Sequence, residues 1–266
     1  MTDNPSTIQS VDRALTVLRL LARHGELGVT EIAAKLKVHK STAFRFVTTL
    51  ELHDLVEQHT ERGKYRLGVG LLQLAGATTA KLDLVQRARP VSQRLAEVIG
   101  ETVNITVLSG QEALYVDQVA GSAALQLHNW VGQRIPLHAT SNGKVLLSSV
   151  STIRFDELTG GELKRFTDKT ITDRAVLRQQ VDTVRKKGYA LAVDELEVGL
   201  TAIAAPISGA DGVVVGSISA SGPGFRITPS RVPDVASRVV AAARDISRRL
   251  GWHGPLDKTQ LKPFMS

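Results

Sequence analysis

The chain has no cysteine among its 266 residues. That excludes disulfides and thiolate zinc sites and agrees with a reducing, cytoplasmic setting. It has no run of about 18 apolar residues, so nothing in it reads as a membrane span. Its first stretch lacks the apolar segment of a secretory signal: Met1 to Thr7 is polar, contains Pro5 and reads as a mobile arm. The patterns of common catalysts are missing too. Ser219-Ala220-Ser221-Gly222 lacks the Gly-x-Ser-x-Gly spacing of a nucleophile elbow. His128 and His138 form no His-x-x-x-His pair, and no Gly-rich phosphate loop precedes a helix. The expectation is a chain without metal, cofactor or catalytic residues.

Acids are scarce on one helix face within the chain's most informative stretch, Val29 to Leu67. Thr30-Glu31-Ile32-Ala33-Ala34-Lys35-Leu36 reads as a short helix, with Thr30 as cap, an acid in its first turn and Ile32, Ala33 and Leu36 on one face. After the turn Lys37-Val38-His39, a second helix runs from about Lys40 to His53. Ala43, Phe46, Val47 and Leu50 recur there at the spacing of a buried stripe. What remains faces outward: Lys40, Ser41, Thr42, Phe44, Arg45, Thr48 and Thr49, free of acids apart from Glu51 at the far end. That surface suits the major groove, which the second helix of a helix-turn-helix enters with its N-terminal residues nearest the bases. Arg45 can grip guanine with two prongs, the hydroxyls can serve bases or phosphates, and Phe44 can press on thymine methyls. The plainer alternative is a solvated helix face, with Phe44 packing on the preceding helix.

Two short strands follow, Leu55 to His59 and Tyr65 to Leu67, joined through Thr60-Glu61-Arg62-Gly63-Lys64. Gly63 supplies the positive φ of a tight hairpin, and Arg62 and Lys64 put charge at its tip, where phosphate or minor-groove contact is expected. Upstream, Ile8 to Arg23 supplies a third helix, with Ser10 as cap, Val11, Leu15, Leu18 and Leu21 or Ala22 as its stripe, and Gly25 at its end. The order reads as a winged helix-turn-helix. A net charge of +7 agrees with a polyanionic partner such as double-stranded DNA. The chain is too long for this module alone, so a second domain is required.

Leu71 to Ala75 begin a helical connector. A further helix runs from Asp83 to Gly100, with a kink or break expected at Pro90. The apolar residues between Gly68 and Ala80 are too many for a helix bathed in water, and they call for packing on their own winged helix or on a second subunit. From Glu101 onward short strands dominate: Val103 to Leu108, Ala113 to Val119 and Leu125 to His128, then Tyr189 to Val193, Thr201 to Ile207 and Val213 to Ser221. Helices are expected over Ser141 to Leu147, Ser151 to Leu158, Asp173 to Lys187 and Pro229 to Leu250. Clustered strands with helices between clusters predict an α+β domain with an antiparallel sheet.

Several of these segments, in this order, resemble the IclR-type transcriptional regulators. They are Lys40-Ser41-Thr42, Tyr65-Arg66-Leu67-Gly68, Leu137-His138-Ala139-Thr140-Ser141-Asn142-Gly143-Lys144, Gly188-Tyr189 leading to Glu195 and Gly199-Leu200, Ala202 to Ile207, and Ser219 to Pro223. The resemblance covers roughly residues 8 to 251. It implies a winged helix over 1–68, a linker helix over 69–82, a GAF-like effector-binding domain over 83–251 and a tail over 252–266. It also implies a ligand-controlled repressor or activator of a catabolic operon, acting as a dimer or dimer of dimers on pseudo-palindromic operators. Small organic or aromatic acids are the effectors implied. Where the family usually has Asp or Ser this chain has Ala192, and Ala202 replaces a frequent Cys. Those family residues help hold a carboxylate effector, so the departures favour an apolar or aromatic effector over a small keto acid.

Chemistry suggests the pocket. Ser219 and Ser221 project to one face of a strand, and Ser141, Asn142 and Gly143 sit at a helix start whose free amides favour a carboxylate. Asp194 and Glu195 offer acceptors, and Leu127, Trp130 and Leu146 offer an apolar wall. Ordinary packing or capping is the alternative for each. The rival readings of the whole chain are an enzyme acting on a small metabolite in the C-terminal domain, which leaves the winged helix unexplained, and a sequence-neutral DNA-coating protein, which leaves the second domain unexplained.

Overall fold

The computed structural model describes residues 8–59, 63–76, 79–122, 130–252 and 254, and for 75, 76 and 79–82 the backbone alone. The chain divides into two compact units, Met1–Leu82 and Asp83–Ser266. Each is described by itself.

In the first unit, α1 (Gln9–His24), β1 (Glu26–Gly28), α2 (Val29–Leu36), α3 (Lys40–Leu52), β2 (Val56–His59), β3 (Lys64–Leu67) and α4 (Gly70–Gly76) follow one another. The strands form an antiparallel sheet in the order β1, β3, β2. Val17 and Leu21 of α1, Ile32 and Ala33 of α2, and Ala43, Val47 and Leu50 of α3 close on Val56 and Tyr65 as one core. The stripe read for α3 therefore faces inward, with Phe46 packed on its margin. The stripe read for α1 is rotated: Val11 and Leu15 are 53% and 50% exposed, and the buried side runs through Ala14, Val17, Leu18 and Leu21. The expected caps differ as well. Helix α1 starts after Ile8 rather than at Ser10, and α2 starts after Gly28, whose amide donates to Glu31 Oε2 at 2.8 Å. The acid of the first turn thus does the capping that Thr30 was expected to do.

Helix α5 (Thr79–Ile99), most of which belongs to the second unit, runs unbroken through Pro90, so the expected break is absent. Six strands form one antiparallel sheet: β4 (Thr102–Ser109), β5 (Glu112–Val119), β6 (Arg134–Ile135), β7 (Ala190–Val193), β8 (Leu200–Ser208) and β9 (Val214–Pro223), in the order β6, β5, β4, β9, β8, β7. The strand expected over Leu125 to His128 lies outside the described residues. One sheet face packs Val103, Ile105, Ile203, Ile207 and Ile218 against α5 and α9 (Val232–Arg249). The helix expected from Pro229 starts three residues later, at Val232. The other face meets α6 (Ser141–Ser149), α7 (Thr152–Thr159) and α8 (Arg174–Lys187) through Leu146, Leu147, Phe155, Leu177 and Val181. The fold is α+β: an N-terminal helix-turn-helix unit and a C-terminal unit built on an antiparallel sheet with helices on both faces.

Candidate functional site

Two features of this chain are candidates for function, one in each unit. In the first, α3 turns Ala43, Val47 and Leu50 inward and leaves Lys40, Ser41, Phe44, Arg45 and Thr49 exposed, with Thr42 and Thr48 half-buried. Phe44 is 51% exposed. Neither Lys40 nor Arg45 is engaged in an ion pair or side-chain hydrogen bond among the described residues, which leaves both heads available. The Thr49 hydroxyl is turned back, donating to the Arg45 carbonyl at 2.8 Å. In the wing, Arg62 lies outside the described residues. Lys64 belongs to β3 rather than to the tip, with its ammonium 3.5 Å from Glu26.

In the second unit a cavity of about 350 Å³ opens beside the start of α6. Its origin is the sheet register. Alternate residues of a strand project to opposite faces, and on the cavity side a row of small residues crosses four strands. Ala192 pairs with Ala202, Ala202 with Ser221, and Ser221 with Thr102. In the next row Asn104 pairs with Ser219. The same strands turn Val103, Ile105, Ile203, Ile218 and Ala220 to the packed face. Bulk fills one side of the sheet, and its lack hollows the other to a size suited to a small ligand.

The floor is a set of crossed hydrogen bonds. The Ser217 hydroxyl donates to Asn142 Oδ1 at 2.8 Å, and Asn142 Nδ2 donates to Ser219 Oγ at 2.8 Å. Asn104 Nδ2 donates to Ser221 Oγ at 3.2 Å. The aromatic wall is Tyr115 and Trp130, ring centroids 6.3 Å apart and tilted by 54°. Burial pushes the Tyr115 hydroxyl up to about 12, against a lesser lowering by its hydrogen bond with Asn142. Glu101 and Arg226 form a bidentate pair of 2.8 and 2.9 Å on the cavity wall. Gly222 makes room for it, since a Cβ there would stand 2.2 Å from Glu101 Oε2.

Behind the wall lies Lys144, with no exposed surface. Its ammonium donates to Glu195 Oε1 at 2.6 Å, Gln180 Oε1 at 2.7 Å and the Leu191 carbonyl at 3.3 Å. Burial drives the Lys144 amine down and the Glu195 carboxyl up, and each partner's charge opposes the shift in the other. The pair ties α6 to the segment after β7 that supplies Glu195, Leu196 and Val198 to the cavity.

Of the residues expected to form a pocket, the structure brings Trp130, Ser141, Asn142, Glu195, Ala202, Ser219 and Ser221 to the cavity wall. Three do other work. Gly143 sits against backbone, where a Cβ would lie 2.2 Å from the Leu137 carbonyl, and its amide is capped by Thr140 Oγ1 at 3.1 Å. Leu146 is in the core cluster with Ala113, Ile135 and Phe155. Asp194, at φ +57°, accepts the Gly199 amide at 2.7 Å and shapes the turn beside the cavity. Leu127 lies outside the described residues. Sequence reasoning passed over Asn104, Tyr115, Lys144 and the pair Glu101 and Arg226. The signal for Asn104 was present in the alternation Val103-Asn104-Ile105-Thr106-Val107, whose polar set shares the face of Ser219. Among the described residues no group of His, Asp and Glu could hold a metal ion, and no helix is long and apolar enough to cross a membrane.

Comparison with known proteins gives the same two-part division. A family model described as "IclR helix-turn-helix domain" matches residues 10–60, and one described as "Bacterial transcriptional regulator IclR C-terminal" matches residues 76–248. The chain is 32% identical over 250 residues to the HTH-type transcriptional regulator KdgR of Escherichia coli, covering 94% of this chain and 95% of that protein. To the HTH-type transcriptional regulator BhcR of Paracoccus denitrificans it is 35% identical over 241 residues, 90% of this chain and 86% of that one. A solved IclR homologue from Microbacterium hydrocarbonoxydans, complexed with 4-hydroxybenzoate, aligns with a TM-score of 0.80 at 28% identity, covering 91% of this chain and 98% of that one. With a helix-turn-helix unit, an antiparallel sheet domain and both family models matched in order, the chain belongs to the IclR family of bacterial transcriptional regulators.

Proposed function

We propose that the chain is an effector-responsive regulator that reads a pseudo-palindromic operator with α3 and senses a small organic or aromatic acid, or a related metabolite, in the cavity. The observation that carries the reading is the uncovered face of Lys40, Ser41, Phe44 and Arg45 on the second helix of a helix-turn-helix. Arg45 is assigned a base contact, Lys40, Ser41, Thr42 and Thr48 base or phosphate contacts, and Arg62 and Lys64 phosphate contacts from the wing. Thr49, with its hydroxyl turned back, is left a packing role at the groove edge.

Support for the effector comes from the hollowed sheet, the Tyr115 and Trp130 wall, and the first amides of α6 at Ser141 and Asn142, which have no intrahelical acceptors and favour a carboxylate. The relative bound to 4-hydroxybenzoate supports an aromatic acid. In this reading the cavity senses and does not catalyse, and the chain works in the cytoplasm with its operator. Pairing of copies is supported by exposed Ile8 just before α1, Val11 and Leu15 on α1, and Leu72 and Leu74 on α4, apolar side chains that the described residues of their own unit leave uncovered. Effector binding then shifts the arrangement of paired winged helices by no more than its preference for one arrangement over the other.

The test is operator binding by the full chain and by Arg45→Ala. The substitution is expected to cost about 1 to 3 kcal/mol on the cognate site and to relax one base position. Unchanged binding on every sequence would take α3 out of base reading.

A further inference from the structure

The turn that joins α2 to α3 holds a lysine in a backbone conformation that suits glycine. Lys37 stands at φ +53° and ψ +49°, in the left-handed region. Two hydrogen bonds fix it there: the Val38 amide donates to the Ala33 carbonyl at 3.1 Å, and the Lys37 amide donates to the Ala34 carbonyl at 3.2 Å. This is the helix ending that commonly carries glycine, and Ala33 and Val38 complete it by packing in one core. A side chain with a Cβ meets a steric cost there that glycine does not. Among the described residues Asp54 and Asp194 are the other non-glycine residues at positive φ. Aspartate tolerates the region through its short polar side chain, as Asp194 does by accepting the Gly199 amide. Lysine has no such relief.

Charge singles out the same residue. No acid occurs between Glu31 and Glu51, a stretch that holds Lys35, Lys37, Lys40 and Arg45. Lys37 is exposed, and among the described residues it is engaged in no ion pair or side-chain hydrogen bond. It lies three positions before Lys40, so the two Cα atoms are at most about 11 Å apart. The major groove is about 12 Å wide, and with the start of α3 inside it that distance brings a long cationic side chain to the phosphates along the edge.

We propose that Lys37 contacts a DNA phosphate and that the strained turn is kept for this charge. The inference rests on the DNA reading of α3 above and adds a contact outside the recognition helix, one that holds the protein in place and carries no sequence information. The competing role is at the end of α2, where a cation favours the last carbonyls of the helix. Lys35 already stands in that last turn. The two roles differ in sign. If the charge serves DNA, removing it weakens binding while the turn holds or tightens; if it serves α2, removing it loosens the turn while binding stays.

The test compares the full chain with Lys37→Gly and Lys37→Arg by fluorescence anisotropy on a labelled mixed-sequence duplex of about 30 base pairs, in about 50 to 200 mM NaCl. Lys37→Gly is expected to flatten the slope of log affinity against log salt by about one unit, which is about 3-fold to 4-fold across that range. Lys37→Arg keeps the charge and is expected to keep the parent's slope. Amide hydrogen exchange in α2 and α3 reports the first unit alone, and it is expected to be as slow in Lys37→Gly as in the parent, or slower. An unchanged slope in Lys37→Gly would overturn the phosphate contact and leave α3 standing as the reader. Faster exchange in that variant would overturn the strained-turn assignment and return the lysine to the end of α2. Failure of the parent to bind the duplex at any of these salt concentrations would overturn the contact together with the DNA reading.

Discussion

Replacing Lys144 by Met removes the cation from a buried pair and leaves its acid behind. Three hydrogen bonds disappear at once, and Glu195, 8% exposed, is left with both oxygens unpaired. Stripping one partner from such a pair costs about 3 to 5 kcal/mol, a large share of the 5 to 15 kcal/mol that holds a typical domain together. The double variant Lys144→Met with Glu195→Leu removes both desolvated charges and keeps the volume. It is expected to return to within about 1 to 2 kcal/mol of the parent, which gives a coupling energy above about 2 kcal/mol. Urea unfolding followed by tryptophan fluorescence is the assay. Both tryptophans, Trp130 and Trp252, belong to the unit that holds the pair, so the signal reports that unit. Acidity gives a second readout. In Lys144→Met the folded-state pKa of Glu195 stands above its unfolded value, so the native form binds more protons and its stability falls as pH rises through that window. The damage is therefore smaller at about pH 5 than at about pH 8. Additive single-variant losses with no dependence on pH would refute the whole account of this pair.

Tyr115 offers a test at the alkaline end. Its folded-state value of about 12 lies above the ordinary 10.0, so the stability it lends is intact below pH 10.0 and is lost as pH rises through about 12. That two-unit gap corresponds to about 2.7 kcal/mol. Tyrosinate absorbance should show a late-ionising group that is missing in Tyr115→Phe, and a Tyr115→Phe titration identical to the parent would refute the burial argument. Gly143→Ala meets the Leu137 carbonyl oxygen at 2.2 Å and the Leu137 Cα at 2.4 Å. These are backbone atoms that cannot swing aside, so a loss of about 1 to 3 kcal/mol or more is expected in thermal unfolding. An unchanged midpoint would mean that the helix start is not held against the Leu137 backbone.

The helix-turn-helix was legible because three short helices and a hairpin each leave a local signature. The stripe Ala43, Phe46, Val47 and Leu50 is complete within three turns, and the residues off it are the exposed ones. Helix α1 was harder. Apolar residues lie at Ile8, Val11, Ala14, Leu15, Val17, Leu18, Leu20 and Leu21, most of the way around the helix. Periodicity alone does not say which side is core. The side assigned inward at Val11 and Leu15 is the one left exposed. Caps were misread where a neighbour replaced the usual side chain, as Glu31 does for Gly28. Strands β1 and β6, of three and two residues, are shorter than any alternation can mark.

The cavity divides along the same line. Ser219 and Ser221 were visible because a period of two is a local property of one strand. What shapes the cavity's surroundings is tertiary pairing: Lys144 meets Glu195 at a separation of 51 positions, Asn142 meets Ser219 at 77 and Arg226 meets Glu101 at 125. A lysine followed by Val145, Leu146 and Leu147 carries one hint, because a cation in an apolar run is either at a surface or matched to a buried acid. The sequence offers many acids and does not say which. The fold chooses Glu195, two residues past the end of β7, and the same strand sets Ala192 beside Ala202 in one row across β7 and β8. Bulk on that row would fill the space that Glu195 borders. The small residues that hollow the sheet and the ion pair beside the cavity are thus one device, and changing either should alter the cavity's shape.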